Sequence, residues 1–128
     1  MASGAQILVV EDNDKNMKLF HEILAAKGYR TLEAKTGEAA VALAAEHSPD
    51  LVLMDIQLPD IDGIEALSRL RADVRTASLP VIALTAQAME GDRERFLAVG
   101  FDGYVSKPVN IHDFIATVER YCDGGGNE

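Results

Sequence analysis

The sequence has little of three features that mark large classes of proteins: cysteine, basic charge and long apolar runs. Cys122 is the one cysteine in 128 residues, so no disulfide can form within the chain, which suits a reducing cytoplasm. No apolar run approaches the roughly 20 residues that are needed to span a bilayer. The N-terminal segment "MASGAQ" lacks the basic region of a signal peptide. We therefore expect a cytoplasmic protein.

Acidic residues outnumber basic ones, 21 to 12, and give the chain a net charge of −9. An acidic surface repels the phosphates of nucleic acids and anionic lipids, so we expect neither nucleic acid nor a membrane as a partner. The charge is compatible with a bound cation or with a basic protein partner. Solubility accounts for most of these acids equally well.

The length and the hydrophobic pattern predict one α/β domain. The chain is long enough for one compact domain, and 48% of its residues are hydrophobic. We place the domain at residues 6–122, between a flexible N-terminus (1–5) and a flexible tail (123–128) with the sequence "DGGGNE". Strands and helices alternate along the domain. The predicted strands are Ile7–Val10, Arg30–Ala34, Leu51–Met54, Val81–Leu84 and Tyr104–Val105.

Apolar residues at helical spacing predict five helices, one after each strand. The first runs from Asn13 to Lys27, the second follows Thr36, the third follows Asp62, and the fourth runs from about 88 to 99. Five strand–helix alternations with right-handed crossovers predict a flavodoxin-like (βα)5 fold, a doubly wound parallel sheet with strand order 2-1-3-4-5. The predicted buried stripes are Ile64, Leu67, Leu70 and Val74 on the third helix, and Ile111, Phe114, Ile115, Val118 and Cys122 on the fifth.

Polar residues follow four of the predicted strands. Glu11 and Asp12 come after the first strand, Asp55 after the third, Thr85 after the fourth and Lys107 shortly after the fifth. Each has an ordinary explanation by itself; Asp12, for example, would make a good cap for the first helix. The carboxyl ends of parallel strands meet at one edge of a sheet, so we expect these side chains to converge there.

Three convergent carboxylates limit the chemistry of this edge. Two unit charges 4 Å apart interact by about 4 kcal/mol at an effective dielectric of 20, and one ammonium, that of Lys107, is not expected to offset the repulsion among three acids. Oxygen ligands without histidine or cysteine favour a hard ion such as Mg²⁺, which also binds phosphate oxygens. These parts suit phosphoryl transfer, with Asp55 as the nucleophile and with Thr85 and Lys107 contacting the phosphoryl oxygens.

Four segments resemble signatures of the receiver domain of bacterial response regulators: "VVED", "LMDIQLPDIDG", "ALTA" and "YVSKP". Asp55, Pro59 and Gly63 also have the family's D-x-x-x-P-x-x-x-G spacing, and the resemblance extends from Gln6 to Cys122. Within the family, the sequence resembles the DivK-type stand-alone regulators of cell division and polarity. Receiver domains from hybrid histidine kinases have similar segments and remain an alternative.

The resemblance implies a magnesium site and an acceptor for the phosphoryl group. Asp55 would accept the group from a phosphohistidine. Asp12, Asp55 and the backbone carbonyl of Gln57 would bind Mg²⁺ directly, and Glu11 would act more often through water. The family often has aspartate where Glu11 stands, so we expect the longer arm to tune the site. Gln57 and Gln87 would either modulate the loss of the phosphoryl group or be ordinary loop residues.

The resemblance also implies a switch. Thr85 and Lys107 would contact the bound phosphoryl group, and Tyr104 would turn inward when Thr85 moves toward it. The Lys107–Pro108 peptide bond is expected to be cis. The protein would thus be a signalling receiver that catalyses its own phosphorylation and dephosphorylation, and not an enzyme in the usual sense.

The implied partners are proteins: a histidine kinase or histidine phosphotransfer protein, and a downstream target that binds the face formed by the fourth helix, fifth strand and fifth helix. We expect a monomer or weak dimer. A haloacid-dehalogenase-like phosphatase is the main rival, but it usually has a second aspartate where Gln57 stands. A flavodoxin-type FMN carrier would be repelled by Glu11 and Asp12. A degenerate docking receiver is disfavoured by the intact Asp55, Thr85 and Lys107.

Overall fold

The computed structural model describes residues 4–86 and 92–124, and a five-stranded parallel sheet lies at its centre. The strands are β1 (Gln6–Val10), β2 (Arg30–Ala34), β3 (Leu51–Asp55), β4 (Val81–Thr85) and β5 (Gly103–Ser106). The helices are α1 (Asp14–Ala26), α2 (Gly37–His47), α3 (Gly63–Ala72), α4 (Asp92–Val99) and α5 (Ile111–Glu119), and a π-helical turn, Arg120–Gly124, follows α5. The order β2-β1-β3-β4-β5 confirms the predicted fold. The predicted start of the fourth helix, near residue 88, lies outside the described residues.

The three central strands are buried on both faces, which explains their continuous apolar sequences. Every residue of β3 and β4 is buried, and β1 is buried after its first residue. The two edge strands, β2 and β5, are more exposed. No helix in the described part of the chain is long and apolar enough to cross a bilayer.

Two hydrophobic cores cover the two faces of the sheet. On one face, α1 and α5 meet through Phe20 and Phe114, whose rings stack 5.3 Å apart. On the other face, α2, α3 and α4 contribute mostly small or aliphatic residues around Phe96, which packs edge-on against Phe101 at 5.9 Å. With both faces covered, the exposed rim at the carboxyl ends of the strands is left for polar groups.

The cap of the first helix differs from the one that the sequence suggested. Asn13, and not Asp12, caps α1, because the Asn13 side chain accepts a hydrogen bond from the backbone N–H of Asn16 at 2.9 Å. Thr36 and Asp62 cap α2 and α3 as predicted. Since Asn13 takes the capping role, Asp12 does not need to serve the helix.

Two residues of the predicted buried stripes are exposed, so the prediction is wrong for them. Val74 is 91% exposed, because α3 ends at Ala72 and Asp73 has extended backbone angles that turn the chain away. Ile111 is 54% exposed at the first position of α5, ahead of the buried Phe114, Ile115 and Val118. Cys122 packs against the core beneath α1 and α5, but it lies in the π-helical turn after α5 and is only half-buried.

A hydrogen-bond network connects α3 with the segments that lead into β4 and β5. The Arg71 guanidinium donates hydrogen bonds to the carbonyls of Leu79 at 2.6 Å and Gly100 at 2.9 Å, and to the carboxylate of Asp102 at 3.1 Å. The same carboxylate accepts the backbone N–H of Val81 at 2.8 Å. The network therefore fixes the edge of the sheet that lies opposite the predicted site.

The loop after β3, residues 56–62, is closed tightly where it enters α3. The backbone N–H of Gly63 donates to the carbonyl of Ile56 at 2.8 Å, and the backbone N–H of Ile56 donates to the carbonyl of Leu84 at 3.0 Å. A side chain on Gly63 would collide with the carbonyl oxygen of Asp55 and lie 2.9 Å from the Cα of Ile56. Glycine is required here because two backbone segments approach each other closely.

Gly63→Ala should therefore destabilise the protein by at least about 1 kcal/mol, because backbone atoms cannot move aside as a side chain would. The two effects differ in sign, since helix propensity by itself would stabilise the alanine variant by up to about 1 kcal/mol. Urea unfolding measures the change. Gly103→Ala is the control, because its new Cβ would lie 3.2 Å from the movable end of Ile82. Equal stability losses in the two variants would contradict the close-approach explanation.

Candidate functional site

Asp55 is the last residue of β3 and only 5% exposed. Its strand lies between β1 and β4, and Met54 is in register with Val10, so Glu11 follows β1 beside it. The prediction that these strand ends converge is confirmed for the acids: carboxylate oxygens of Glu11, Asp12 and Asp55 all lie within 4.8 Å of one another. Glu11 is only 1% exposed, and Asp12 is exposed.

Lys107 reaches into this cluster and pairs with two of the three acids. Its Nζ lies 2.6 Å from Oε1 of Glu11 and 3.0 Å from Oδ2 of Asp55. The Lys107 ammonium thus compensates part of the charge of two carboxylates, more than the sequence suggested. Three ionised carboxylates and one ammonium together carry a net charge of −2, which one divalent cation would neutralise.

The cluster raises the pKa of both Glu11 and Lys107, but for different reasons. Burial raises the pKa of Glu11 and outweighs the hydrogen bond from Lys107; the negative charge of Asp55 adds to the rise. Burial by itself would lower the pKa of Lys107, but its hydrogen bonds and charge contacts with Glu11 and Asp55 outweigh that effect and raise it. Lys107 therefore stays charged at neutral pH.

Backbone groups fix the orientation of both buried carboxylates. The backbone N–H of Gln57 donates to Oδ1 of Asp55 at 3.0 Å, and the backbone N–H of Asn13 donates to Oε2 of Glu11 at 3.2 Å. Each acid therefore has one oxygen on a backbone N–H and the other on Lys107. The Asp55 carboxylate is thus oriented by two hydrogen bonds, and Lys107 partly compensates its charge.

Thr85 and Lys107 belong to the same rim. Thr85 ends β4 and is 5% exposed, and its carbonyl accepts the backbone N–H of Lys107 at 2.7 Å. The Lys107–Pro108 peptide bond is cis. Four strands therefore deliver the predicted acids, hydroxyl and ammonium to one edge of the sheet.

The other predicted residues lie around this cluster. Gln57 is exposed in the loop after β3, and Gln87 lies outside the described residues. Tyr104 is on β5 and half-buried, with its ring 6.1 Å from that of Phe96 on α4. Tyr104 also lines an open groove of about 390 Å³ between β5 and α5.

One contact of the site's own loop was missed by sequence reasoning. Asp60, in the loop after Asp55, accepts backbone hydrogen bonds from the first turn of α2. An acid after a proline in a loop is common, and its partner is 23 residues away in the chain. No local pattern could have predicted that pairing.

Comparison with known proteins gives a consistent set of relatives. The sequence profile of the response regulator receiver domain matches residues 7–119. The chain is 47% identical over 115 residues to the polar-differentiation response regulator DivK of Brucella ovis, and as similar to that of Brucella abortus. Each match covers 90% of this chain and 94% of the relative.

Solved structures with the same fold include two from signalling systems. The receiver domain of sensor histidine kinase PA1611 from Pseudomonas aeruginosa, solved with magnesium in its active-site cleft, is 37% identical with a TM-score of 0.86, and the match covers 94% of this chain and 98% of that one. The co-crystal structure of the phosphotransfer protein Ypd1 with the receiver domain of Ssk1, from Saccharomyces cerevisiae, matches at 29% identity and a TM-score of 0.86, covering 95% and 91%.

The raised pKa of Glu11 predicts a pH dependence of the metal-free protein. The folded state holds the Glu11 proton more tightly than the unfolded state, in which the pKa of Glu11 is near 4.5. The stability that this residue contributes is therefore lost as the pH rises above 4.5. The stability of Glu11→Gln relative to wild type should therefore increase with pH, by at most about 1.4 kcal/mol per unit.

Urea unfolding in a chelating buffer, from pH 4.5 to about 7, measures this difference. Glu119→Gln is the matched control, since it removes the same charge from an exposed position on α5. A Glu11→Gln curve that runs parallel to the wild-type curve would show that the site does not hold the Glu11 proton.

Proposed function

The chain belongs to the response regulator receiver domain family, and we propose that it accepts a phosphoryl group on Asp55 and signals through protein partners. The observation that carries this proposal is the contact of Asp55 Oδ2 with Lys107 at 3.0 Å beside two further carboxylates.

In the proposed reaction, one carboxylate oxygen of Asp55 forms a bond to phosphorus. The phosphorus–nitrogen bond of the donor phosphohistidine breaks, and its electron pair stays on the imidazole, which takes up a proton. The product is an acyl phosphate. Lys107 already contacts an oxygen of Asp55, so a small movement of its ammonium would bring it onto a phosphoryl oxygen. The Thr85 hydroxyl, at the end of β4, would donate a hydrogen bond to another.

The donor set suits Mg²⁺. Glu11, Asp12 and Asp55 offer oxygens only, and the cluster has two uncompensated charges when all three are ionised. Asp12, Asp55 and the backbone carbonyl of Gln57 would hold the ion directly, and Glu11 would contribute through water. When bound, Mg²⁺ would neutralise charge on the transferred phosphoryl group. The magnesium in the related kinase receiver supports this assignment.

Phosphorylation would change the surface around β5. Thr85 and Ser106 are in register on β4 and β5, and Tyr104 precedes Ser106 by two residues on the same strand. A displacement of Thr85 toward the phosphoryl group would alter the space next to Tyr104, whose ring rests against Phe96. The open groove beside Tyr104, between β5 and α5, would then bind the downstream protein differently.

The partner types follow from the relatives. A histidine kinase or phosphotransfer protein is proposed as the donor, because a receiver domain forms a complex with Ypd1 in a related structure. Similarity to DivK suggests a role in cell polarity or division.

The 37% identity to a kinase receiver makes a receiver within a histidine kinase the second candidate, with the same chemistry at Asp55. The phosphatase alternative is not favoured, since Gln57 cannot serve as its second acid.

Incubation with acetyl phosphate and Mg²⁺ tests the chemistry. Wild-type protein should gain the mass of one phosphoryl group, and Asp55→Asn should gain none, because an amide is not a nucleophile toward phosphorus. Intact-mass spectrometry at neutral pH measures the adduct. Asp113→Asn, an exposed acid on α5, should behave as wild type. An adduct that survives in Asp55→Asn would place the acceptor elsewhere, and no adduct on wild type from any donor would favour a docking module.

The switch is tested by nuclear magnetic resonance with beryllofluoride, a mimic of the phosphoryl group. Adding it with Mg²⁺ should shift the backbone amide of Tyr104 in the wild type. Thr85→Ala should still bind the mimic but show a much smaller Tyr104 shift, because the hydroxyl that links the two is gone. Thr31→Ala, at the opposite edge strand β2, is the control. Equal Tyr104 shifts in wild type and Thr85→Ala would contradict the proposed coupling.

A further inference from the structure

Asp60 binds the start of a helix that is remote from it in the chain. Its Oδ1 accepts the backbone N–H of Gly37 at 2.8 Å, and its Oδ2 accepts that of Glu38 at 2.9 Å. These are two of the N–H groups that have no partner within α2. A third, from Ala39, goes to the helix's own cap, Thr36, at 3.1 Å. The first turn of α2 is thus capped partly by its own chain and partly by the loop after Asp55.

The loop and α2 are also in close steric contact. A side chain on Gly37 would collide with the Ile61 side chain and lie 3.2 Å from the carbonyl oxygen of Ile61. Both the backbone and a side chain of the loop therefore rest on the first residue of the helix. The position of the middle of the loop is set from α2.

Charge complements this geometry. Desolvation would raise the pKa of Asp60, but backbone N–H groups, first those of Glu38 and Gly37 and then those of Ile61 and Asp60 itself, outweigh it and lower the pKa to about 2. The carboxylate is therefore ionised at neutral pH and lies at the positive end of the helix dipole.

The same loop carries the groups that the phosphoryl acceptor depends on. It leaves β3 at Asp55, and the first N–H that it presents to the site, that of Gln57, orients Oδ1 of Asp55 at 3.0 Å. A backbone hydrogen bond between Gly63 and Ile56 joins the two ends of the loop. This bond does not fix the four residues that lie between Gln57 and Asp62. Asp60 lies in this span and supplies an attachment to the rest of the protein.

We propose that Asp60 is a positioning residue: by anchoring the loop on α2, it holds the Gln57 peptide, and through it the Asp55 carboxylate, in the geometry that binds Mg²⁺. The inference rests on the proposed function and extends it to a residue that does not itself touch the metal or the phosphoryl group. It predicts that breaking the anchor weakens metal binding more than an equal loss of helix stability does.

Thr36→Ala is the matched comparison for Asp60→Ala. Each variant removes a side chain that caps α2, and each should lower the stability of the helix, but only Asp60→Ala releases the loop. Calorimetric titration of the purified full chain with Mg²⁺, below the unfolding temperature, should give a dissociation constant about 10-fold higher for Asp60→Ala. Thr36→Ala should stay within about 2-fold of wild type. Similar constants for the two variants would overturn the inference.

Two further variants separate positioning from charge. Asp60→Asn keeps one acceptor oxygen and should recover part of the affinity, with a dissociation constant about 3-fold above wild type. Gly37→Ala keeps the Asp60 carboxylate but pushes Ile61 away, so it should reproduce the loss seen in Asp60→Ala. Wild-type affinity in Gly37→Ala would show that the loop's position is not set from α2, which would contradict the inference.

A metal-free measurement gives an independent readout. Hydrogen exchange of the Gln57 amide should be faster in Asp60→Ala than in wild type, and unchanged in Thr36→Ala.

The rate of phosphorylation by acetyl phosphate gives a further readout. At saturating Mg²⁺, this rate should be close to the wild-type rate in Asp60→Ala, because the nucleophile is intact. A rate that stays low, or Gln57 exchange that does not change, would count against a positioning role.

The controls distinguish this inference from the function on which it rests. If wild-type protein binds no Mg²⁺ and takes up no phosphoryl group, the proposed function fails and this inference fails with it. If the wild type does both and Asp60→Ala matches it in metal affinity and in Gln57 exchange, the inference alone fails.

Discussion

One ammonium group lies 2.6 Å from Glu11 and 3.0 Å from Asp55, and this double contact of Lys107 allows two carboxylates to end almost fully buried. Removing a carboxylate from water costs several kcal/mol unless a charge and hydrogen bonds replace the solvent. Here each buried acid has Lys107 on one oxygen and a backbone N–H on the other. The exposed Asp12 adds charge that this arrangement leaves uncompensated. The buried charge is thus partly compensated, and the remaining negative charge is what the proposed magnesium ion would neutralise.

The parallel sheet separates stability from chemistry. At the amino ends of β4 and β5, Arg71 and Asp102 satisfy backbone groups and join three segments, with no surplus of charge between the two. At the carboxyl ends, within the part of the chain that the structure describes, three acids gather around the one ammonium of Lys107. Both faces of the sheet are occupied by helices, so a strand end is the place where a polar side chain can be both held by the core and reached from solvent. Asp55, the last residue of a fully buried strand, meets both conditions.

Sequence reasoning predicted the fold and the convergence of the three acids with Lys107, because both depend on local patterns repeated in order. Continuous apolar runs identified the buried strands, and the polar residue after each run identified its carboxyl end. Failures occurred where a local pattern had two outcomes. Val74 continues the helical spacing of α3, but the backbone had already turned at Asp73. Asp12 and Asn13 are both good caps, and only the geometry decides that Asn13 is used.

Contacts between distant segments could not be predicted in the same way. The sequence indicated that Lys107 joins the cluster, but not that it divides its hydrogen bonds between Glu11 and Asp55. The Asp60 carboxylate gives no local sign that its partners are the N–H groups of α2. Such pairings depend on how β3, its loop and the helices pack, which no single stretch of sequence records.

A crystal structure of the protein grown with Mg²⁺ and beryllofluoride would test the central claim most directly: the acids at this sheet edge hold a dication beside a phosphoryl acceptor. We predict a metal ion bound by the carboxylates of Asp12 and Asp55, beryllofluoride on Asp55, and the Lys107 ammonium moved from the Asp55 oxygen to a fluoride. A structure in which Lys107 still bridges Glu11 and Asp55, with no metal between the acids and no adduct on Asp55, would contradict it.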